Sequence, residues 1–191
     1  MNPKIRRLTE TAMLLALLLC LQWMGSPIAD LTTKQLITGS CVNCVLAVAT
    51  LLVGLGSGVV LALLSPVFAF LLGIAPNFIT VAPIMVGNVC FVALLSLLGG
   101  RGKQSLWRSA GALVAAAAVK FLALYLLVVQ LICGAASGLL LGKKLGETVL
   151  LAPPMLKLLP AMFGWLQLVT ALIGGSLALL LAPTLRKALR R

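Results

Sequence analysis

Residues 37–73 read ITGSCVNCVLAVATLLVGLGSGVVLALLSPVFAFLLG, and no charged side chain interrupts them. The glycine-rich segment GLGSG, at residues 54–58, divides this stretch into two apolar runs. A helix needs about 20 mostly apolar residues to cross a bilayer, whereas a strand of a membrane barrel alternates apolar and polar residues. Both runs are continuously apolar. We therefore predict two membrane helices joined by a tight turn at the glycines.

The rest of the chain repeats this pattern. Of its 191 residues, 62% are hydrophobic and 9% are charged, whereas soluble domains carry about 25% charged residues. Six apolar runs follow one another, at residues 8–24, 36–53, 59–72, 78–98, 109–133 and 161–182. We predict an all-α integral membrane protein of the cell membrane, with six transmembrane helices in one bundle that forms a single domain, residues 1–191.

The basic residues predict the orientation of this bundle. The net charge is +12, and most Lys and Arg residues lie before the first run, between the fourth and fifth, or after the sixth. Cytoplasmic loops are enriched in Lys and Arg, so we predict that both termini are cytoplasmic. The orientation in the membrane thus accounts for the positive net charge, and we do not expect nucleic acid as a partner. Glu10 interrupts the first run and no small-residue cleavage site follows it, so we expect a retained helix rather than a signal peptide.

Few side chains are suited to catalysis. The chain has no His, and its carboxylate side chains are Glu10, Asp30 and Glu147, which limits acid–base chemistry and sites for hard metals. Residues 138–144, GLLLGKK, depart from a phosphate-binding loop in the spacing of the glycines and in the residue after Lys. We therefore expect no enzyme activity, no metal and no cofactor on this chain.

Two cysteines three positions apart, Cys41 and Cys44, lie in the second run. A pair with this spacing can exchange disulfides, and a membrane thiol–disulfide redox protein is one alternative. The other cysteines are isolated from it along the chain, and a zinc site needs four ligands. Gly39, Asn43 and Ala47 follow one another at helical spacing, and small residues in this arrangement allow membrane helices to approach closely. We favour a packing role for this stretch.

Lys120 is the least expected residue of the fifth run. It lies midway between Arg108 and Cys133, roughly 18 Å from either end of a helix. A lysine at this depth costs about 2.5–3.5 kcal/mol on insertion scales. We therefore expect Lys120 to face the bundle interior, either in a binding site or satisfied by helix carbonyls or water.

Other polar or aromatic residues are further candidates for ligand binding. Asn88 and Gln167 lie in apolar surroundings and could bind a ligand or hold two helices together. Trp165 and Tyr125 offer stacking surfaces, although Trp also marks membrane interfaces. Candidates for a lid lie in the outer loops, where solvated polar residues are also common; they are Asn77, Asp30 and Lys34.

The first run carries two alanines four positions apart, Ala12 and Ala16. Small residues at this spacing form one face of a helix. That face could pack within the bundle or dock a helix of a partner protein, and the residues alone leave both possibilities open.

Three segments resemble the S component, the substrate-binding subunit, of an energy-coupling factor (ECF) transporter. They are LTETAMLLA at residues 8–16, the stretch at residues 37–73 and FGWLQLVTALIGGSLALLLAP at residues 163–183. The resemblance implies a membrane subunit that captures a vitamin or similar micronutrient from outside. Such a subunit docks on a membrane scaffold protein that carries two ATPase subunits, which use the ATP. A stand-alone small carrier is a further alternative.

The resemblance also implies locations for function. Alanines in an AxxxA pattern of the first helix mediate docking in this family, and Ala12 and Ala16 match that pattern. The family's pocket lies toward the outer face, is built mainly from the last three helices and is closed by the first outer loop. This implies that Asp30 and Lys34 belong to a lid. The pocket candidates are then Asn88, Lys120 and Gln167.

Overall fold

The computed structural model describes residues 2–75, 77–99, 106–146 and 148–188. Within these residues, long apolar helices form the bundle: α1 (Pro3–Met24), α2 (Leu31–Val48), α3 (Leu55–Leu71), α4 (Val81–Gly99), α5 (Leu106–Leu124) and, in the last part of the chain, α8 (Trp165–Ala188). Five helical segments of the described chain are long and apolar enough to cross a membrane, and α3 is a shorter apolar helix of 17 residues. The predicted all-helical membrane bundle is thus confirmed, with six as an approximate count of its spans.

Irregular turns extend three of these helices. A π-helical segment, Ala49–Val53, continues α2, and a second one, Tyr125–Ala135, continues α5. A single 3₁₀ turn, Phe78–Thr80, leads into α4. These extensions bring the spans of α2, α4 and α5 to the length that a bilayer requires.

Two predicted helix boundaries, the start of α2 and the start of α3, are wrong because they depend on a helix cap and on the conformation of one glycine. Helix α2 begins inside the predicted loop at residues 25–35, because the Asp30 carboxylate accepts a hydrogen bond at 2.7 Å from the backbone N–H of Thr33. The predicted turn at residues 54–58 is confined to Gly54, whose φ of 130° is accessible mainly to glycine. Gly58 lies inside α3, where a Cβ atom would approach that of Val92 to 3.3 Å.

The long connection between the fifth and last spans is folded rather than open. It contains the short helix α6 (Ser137–Leu140), an antiparallel pair of strands, β1 (Lys144–Leu145) and β2 (Thr148–Val149), and helix α7 (Met155–Phe163). Helix α8 starts at Trp165 and continues past Ala182, the predicted end of the span, through Pro183 to Ala188.

The stretch around the two cysteines packs α2 closely against α8. A Cβ atom at Gly174 would overlap the carbonyl oxygen of Ser40 and would lie 2.8 Å from the Cβ of Asn43. Small residues on both helices thus permit near backbone contact, as predicted for this stretch. Cys41 and Cys44 are free, half-buried thiols beside this crossing.

The interior of the bundle is apolar and shared by most of its helices. The large side chains that are fully buried in it are Leu18, Leu46, Leu61, Phe91 and Leu95. A second cluster packs α7 against the end of α5 and its π-helical extension, through Leu124, Val128, Leu159 and Phe163. Many large apolar side chains remain exposed on the outside of the bundle, as expected for a surface that contacts lipid.

Candidate functional site

A cavity of about 120 Å³ lies among the helices. It is bordered by the end of α1, the first half of α2, the ends of α3 and α7, and the starts of α4 and α8, with Lys120 and Leu124 of α5. Because successive spans run in opposite directions, this arrangement puts the cavity in the half of the bundle that lies away from both chain ends. Polar side chains in its lining are Gln22, Lys34, Gln35, Thr38, Asn43, Ser65, Asn88, Lys120 and Gln167.

Lys120 is the central charge of the cavity. Its side chain is 3% exposed, and its Nζ donates hydrogen bonds to Oδ1 of Asn43 at 2.5 Å and Oδ1 of Asn88 at 2.7 Å. The ammonium lies 5.5 Å from the centroid of the Phe91 ring, within the range of a cation–π contact. An ammonium group has three N–H donors, so one of them is left after the two asparagines are satisfied.

No carboxylate of the described residues pairs with Lys120. Glu10 forms an ion pair with Arg6 at 3.0 Å, and Asp30 caps α2. Glu147, the remaining carboxylate residue, lies outside the described residues. Burying an ammonium without a negative partner is costly. A charged residue inside a membrane protein usually has a functional role.

The two asparagines differ in how their amide nitrogens are satisfied. An ammonium can only donate, so both asparagines must turn their oxygens toward Lys120 and their nitrogens away from it. Nδ2 of Asn43 donates to Oγ1 of Thr170 at 3.4 Å. Nδ2 of Asn88 is buried and has no hydrogen-bond partner among the described residues. Asn88 therefore offers a donor that the described part of the chain leaves unused.

The family to which the chain belongs follows from a comparison with family models. The model described as "ECF transporter, substrate-specific component" matches residues 6–186. This chain belongs to that family. It is accordingly an integral membrane S component of a transport system, as the resemblance in the sequence implied. Comparison with curated proteins and with solved structures gave no significant match.

The cavity of this S component contains four of the residues predicted for ligand binding, namely Lys120, Asn88, Gln167 and Lys34. Gln167 is buried, and its Nε2 donates to the carbonyl oxygen of Met162 at 3.1 Å, which links the start of α8 to α7. Lys34 is half-buried near the start of α2, and its Nζ donates to the carbonyl oxygen of Ser26 at 3.3 Å. Lys34 thus braces the loop between α1 and α2 beside the cavity.

The other four predicted residues do not line the cavity. Asn77 is buried and holds the strand pair in place, because its Nδ2 lies 3.1 Å and 2.6 Å from the carbonyl oxygens of Val149 and Leu150. Trp165 is 64% exposed on the outside of the bundle.

Tyr125 and Asp30 also have local structural contacts instead of a place in the cavity. The hydroxyl oxygen of Tyr125 accepts a hydrogen bond from Nε2 of Gln130 at 2.9 Å, and its ring packs beside that of Phe121. The hydrogen bond from the Thr33 side chain, followed by the one from its backbone N–H, lowers the pKa of Asp30. This direction is the one expected for a charged helix cap.

Several polar residues of the cavity were not recognised from the sequence. The helical spacing of small residues predicts a packing role for Asn43, yet its side chain also binds Lys120. Its signal was available, since an asparagine in the middle of an uncharged span is as unusual as Asn88. Ser65 and Gln22 carried no such signal, and both have a buried side-chain oxygen without a partner among the described residues.

The two alanines predicted for docking lie on the outside of the S component. Ala12 and Ala16 are both exposed on α1. The large apolar residues beside them are exposed as well, with Met13 at 68% and Leu17 at 49%. Within the described residues, this face of α1 contacts no other part of the chain that would bury it, and it is open to lipid or to a partner helix.

Proposed function

We propose that this S component captures a small, negatively charged compound from outside the cell, a vitamin or similar micronutrient, in the cavity beside Lys120. The observation that supports the proposal is the buried ammonium, which lines a cavity and has no carboxylate partner among the described residues. A negatively charged cargo would supply the missing partner and offset the cost of burying the charge.

The size and lining of the cavity fit a small organic molecule better than a single water. Its volume of about 120 Å³ is several times the roughly 10–15 Å³ that one water needs. Apolar side chains contribute most of the wall, among them Val42, Ile84, Leu124 and Phe163. An apolar wall with a few polar groups is the usual composition of a small-molecule site.

The proposed orientation puts this cavity on the outer side of the membrane. Basic residues flank the opposite end of the bundle, including Arg6 and Arg7 on α1 and Lys187 on α8, and such residues favour the cytoplasm. Arg101, Lys103, Arg190 and Arg191, which contribute to the same prediction, lie outside the described residues.

We further propose that the S component delivers its cargo by docking on a membrane scaffold that carries two ATPase subunits. The exposed face around Ala12 and Ala16 supports this, because small side chains allow a partner helix to approach closely. ATP would be hydrolysed by the partners.

The binding step can be tested on the purified S component alone. Equilibrium dialysis without nucleotide, against a panel of radiolabelled vitamins, should detect tight binding of one compound. Proteoliposomes that contain only the S component should bind that compound without accumulating it. Absence of binding to any compound would contradict the proposal, and accumulation without a scaffold or ATPase would support a stand-alone carrier instead.

A further inference from the structure

We propose that the part of the cavity around Lys120 is a binding site for a single carboxylate group, formed by Lys120, Asn88 and Ser65. The inference rests on the proposed function, because it assumes that the cavity receives the cargo. It adds the chemical class of that cargo, a small monocarboxylic acid. We also assign to Asn88 and Ser65 the role of selecting monocarboxylic acids over other compounds.

The first donor beside the ammonium is the amide of Asn88. This side chain is 1% exposed, lines the cavity, and gives its oxygen to Lys120. The contact with Lys120 fixes the amide orientation, so the unused donor is Nδ2 and not the oxygen. A buried donor without an acceptor is costly. A ligand carboxylate bound beside this pair could accept the remaining N–H of Lys120 with one oxygen and Nδ2 of Asn88 with the other.

The second donor is the hydroxyl of Ser65 on the neighbouring helix. Ser65 is 1% exposed, lines the cavity, and its Oγ has no partner among the described residues. Helices α3 and α4 are antiparallel, and a Cβ on Gly58 would approach that of Val92 to 3.3 Å. Counting along both helices from this contact puts Ser65 within about one turn of Asn88. Donors from α3, α4 and α5 therefore line the same cavity at similar depth.

The charge of this region matches a carboxylate better than a phosphate. Lys120 is the one cation among the described residues at this depth. Lys34, the other cation in the lining, precedes Asn43 by nine residues of α2, or about 13 Å along the helix, and its Nζ is bonded to Ser26. A carboxylate carries one negative charge and two acceptor oxygens. A phosphate monoester carries about −1.5 to −2 at neutral pH and would leave part of its charge buried without a partner.

The class of the cargo can be tested by ligand fishing with the purified S component. The probe is a small-molecule extract of the expressing cells, supplemented with nicotinate and nicotinamide, pantothenate and pantothenol, and pyridoxal 5′-phosphate. Mass spectrometry of the retained material should show a monocarboxylic acid, without its neutral counterpart. Retention of a phosphorylated compound instead would overturn this inference and leave the proposed function standing. Retention of a neutral or cationic compound would contradict the proposed function as well. Retention of nothing would contradict both.

The two selecting residues can be tested with a matched pair of serine variants. Ser40 is also buried, and its hydroxyl has no partner in the described part of the chain, but it does not line the cavity. Ser65→Ala should weaken binding of the retained acid about 10-fold, because one hydrogen bond to a charged group is lost. Ser40→Ala should change it less than about 2-fold. Equal effects of the two variants would show that Ser65 acts only through stability and would overturn its assignment.

A substitution at Asn88 gives an independent readout. Asn88→Asp puts a carboxylate beside Lys120 in nearly the same volume, so the protein itself supplies the charge that we assign to the cargo. The variant should melt at a higher temperature than the ligand-free wild type and should bind the acid at least about 100-fold more weakly. Undiminished binding of the acid by a folded Asn88→Asp variant would overturn the proposal.

Discussion

Replacement of Lys120 by Met removes the charge of the cavity and keeps most of the side-chain volume. In the ligand-free protein, Oδ1 of Asn43 and Oδ1 of Asn88 would each lose a donor, which costs about 1–3 kcal/mol for each buried acceptor. The variant also no longer has to desolvate an ammonium, a penalty of several kcal/mol in the wild type. These two terms have opposite signs and similar size, so the melting temperature should change by only a few degrees.

The affinity for the cargo should respond far more than the stability. A hydrogen bond to a charged group contributes about 1.5–3 kcal/mol, which corresponds to a rise in Kd of about 10- to 150-fold. The assay is equilibrium binding of the compound that the wild-type S component retains, with the melting temperature measured on the same preparations. Lys157→Met is the matched control, because it removes the same charge from an exposed position on α7. A Kd within about 2-fold of wild type, in a folded Lys120→Met variant, would refute the role of Lys120.

Three further predictions concern the surface and the framework of the site. Ala12→Trp or Ala16→Trp should abolish co-purification with the scaffold and ATPase subunits without altering Kd, because the bulky ring would separate α1 from a partner helix. Gly174→Ala should destabilise the protein by about 1–3 kcal/mol, because the new methyl group would overlap backbone of α2 that cannot move away cheaply; thermal unfolding measures this. The pKa of Asp30 in the folded protein lies below its ordinary value of 3.8. The stabilisation from this helix cap should therefore be complete above pH 3.8 and be lost as the pH falls through the pKa of the folded protein. Hydrogen exchange of the backbone amides at the start of α2 measures this loss.

Each of these predictions has a matched control. Ala118→Trp adds the same ring to an exposed position of α5 and should leave the complex intact. Gly111→Ala adds a methyl group that would lie more than 4 Å from every described atom outside its chain neighbours and its own helix backbone, and should stabilise the protein by about 0.5–1 kcal/mol. Asp30→Asn should remove the pH dependence and keep the cap, since Asn is as good a capping residue as Asp. A complex that still forms with either α1 variant would contradict the docking argument. Equal effects of the two glycine variants on stability would contradict the packing argument, and hydrogen exchange that does not change with pH would contradict the capping argument.

The architecture of the protein could be predicted from hydropathy, because the bilayer leaves few alternatives. A chain in lipid must satisfy its backbone hydrogen bonds internally, so long uninterrupted apolar runs can only be helices. The helix ends were harder to predict, since they depend on local events. Asp30 started α2 earlier than expected, and a single positive-φ residue, Gly54, replaced the longer turn predicted for residues 54–58.

The sequence by itself determined that this is a helical membrane protein, that Lys120 lies near the middle of its span, and that α2 has a face of small residues. Hydropathy, helix rise and residue size are properties of one segment at a time, which is why they can be read from the chain. Only the tertiary structure decided that Asn43 and Asn88 share Lys120, that Ser65 lines the same cavity, and that Asn77 holds a strand pair rather than lining the cavity. Those contacts join residues far apart in sequence, and they depend on the rotation and depth of each helix against its neighbours, which packing alone sets.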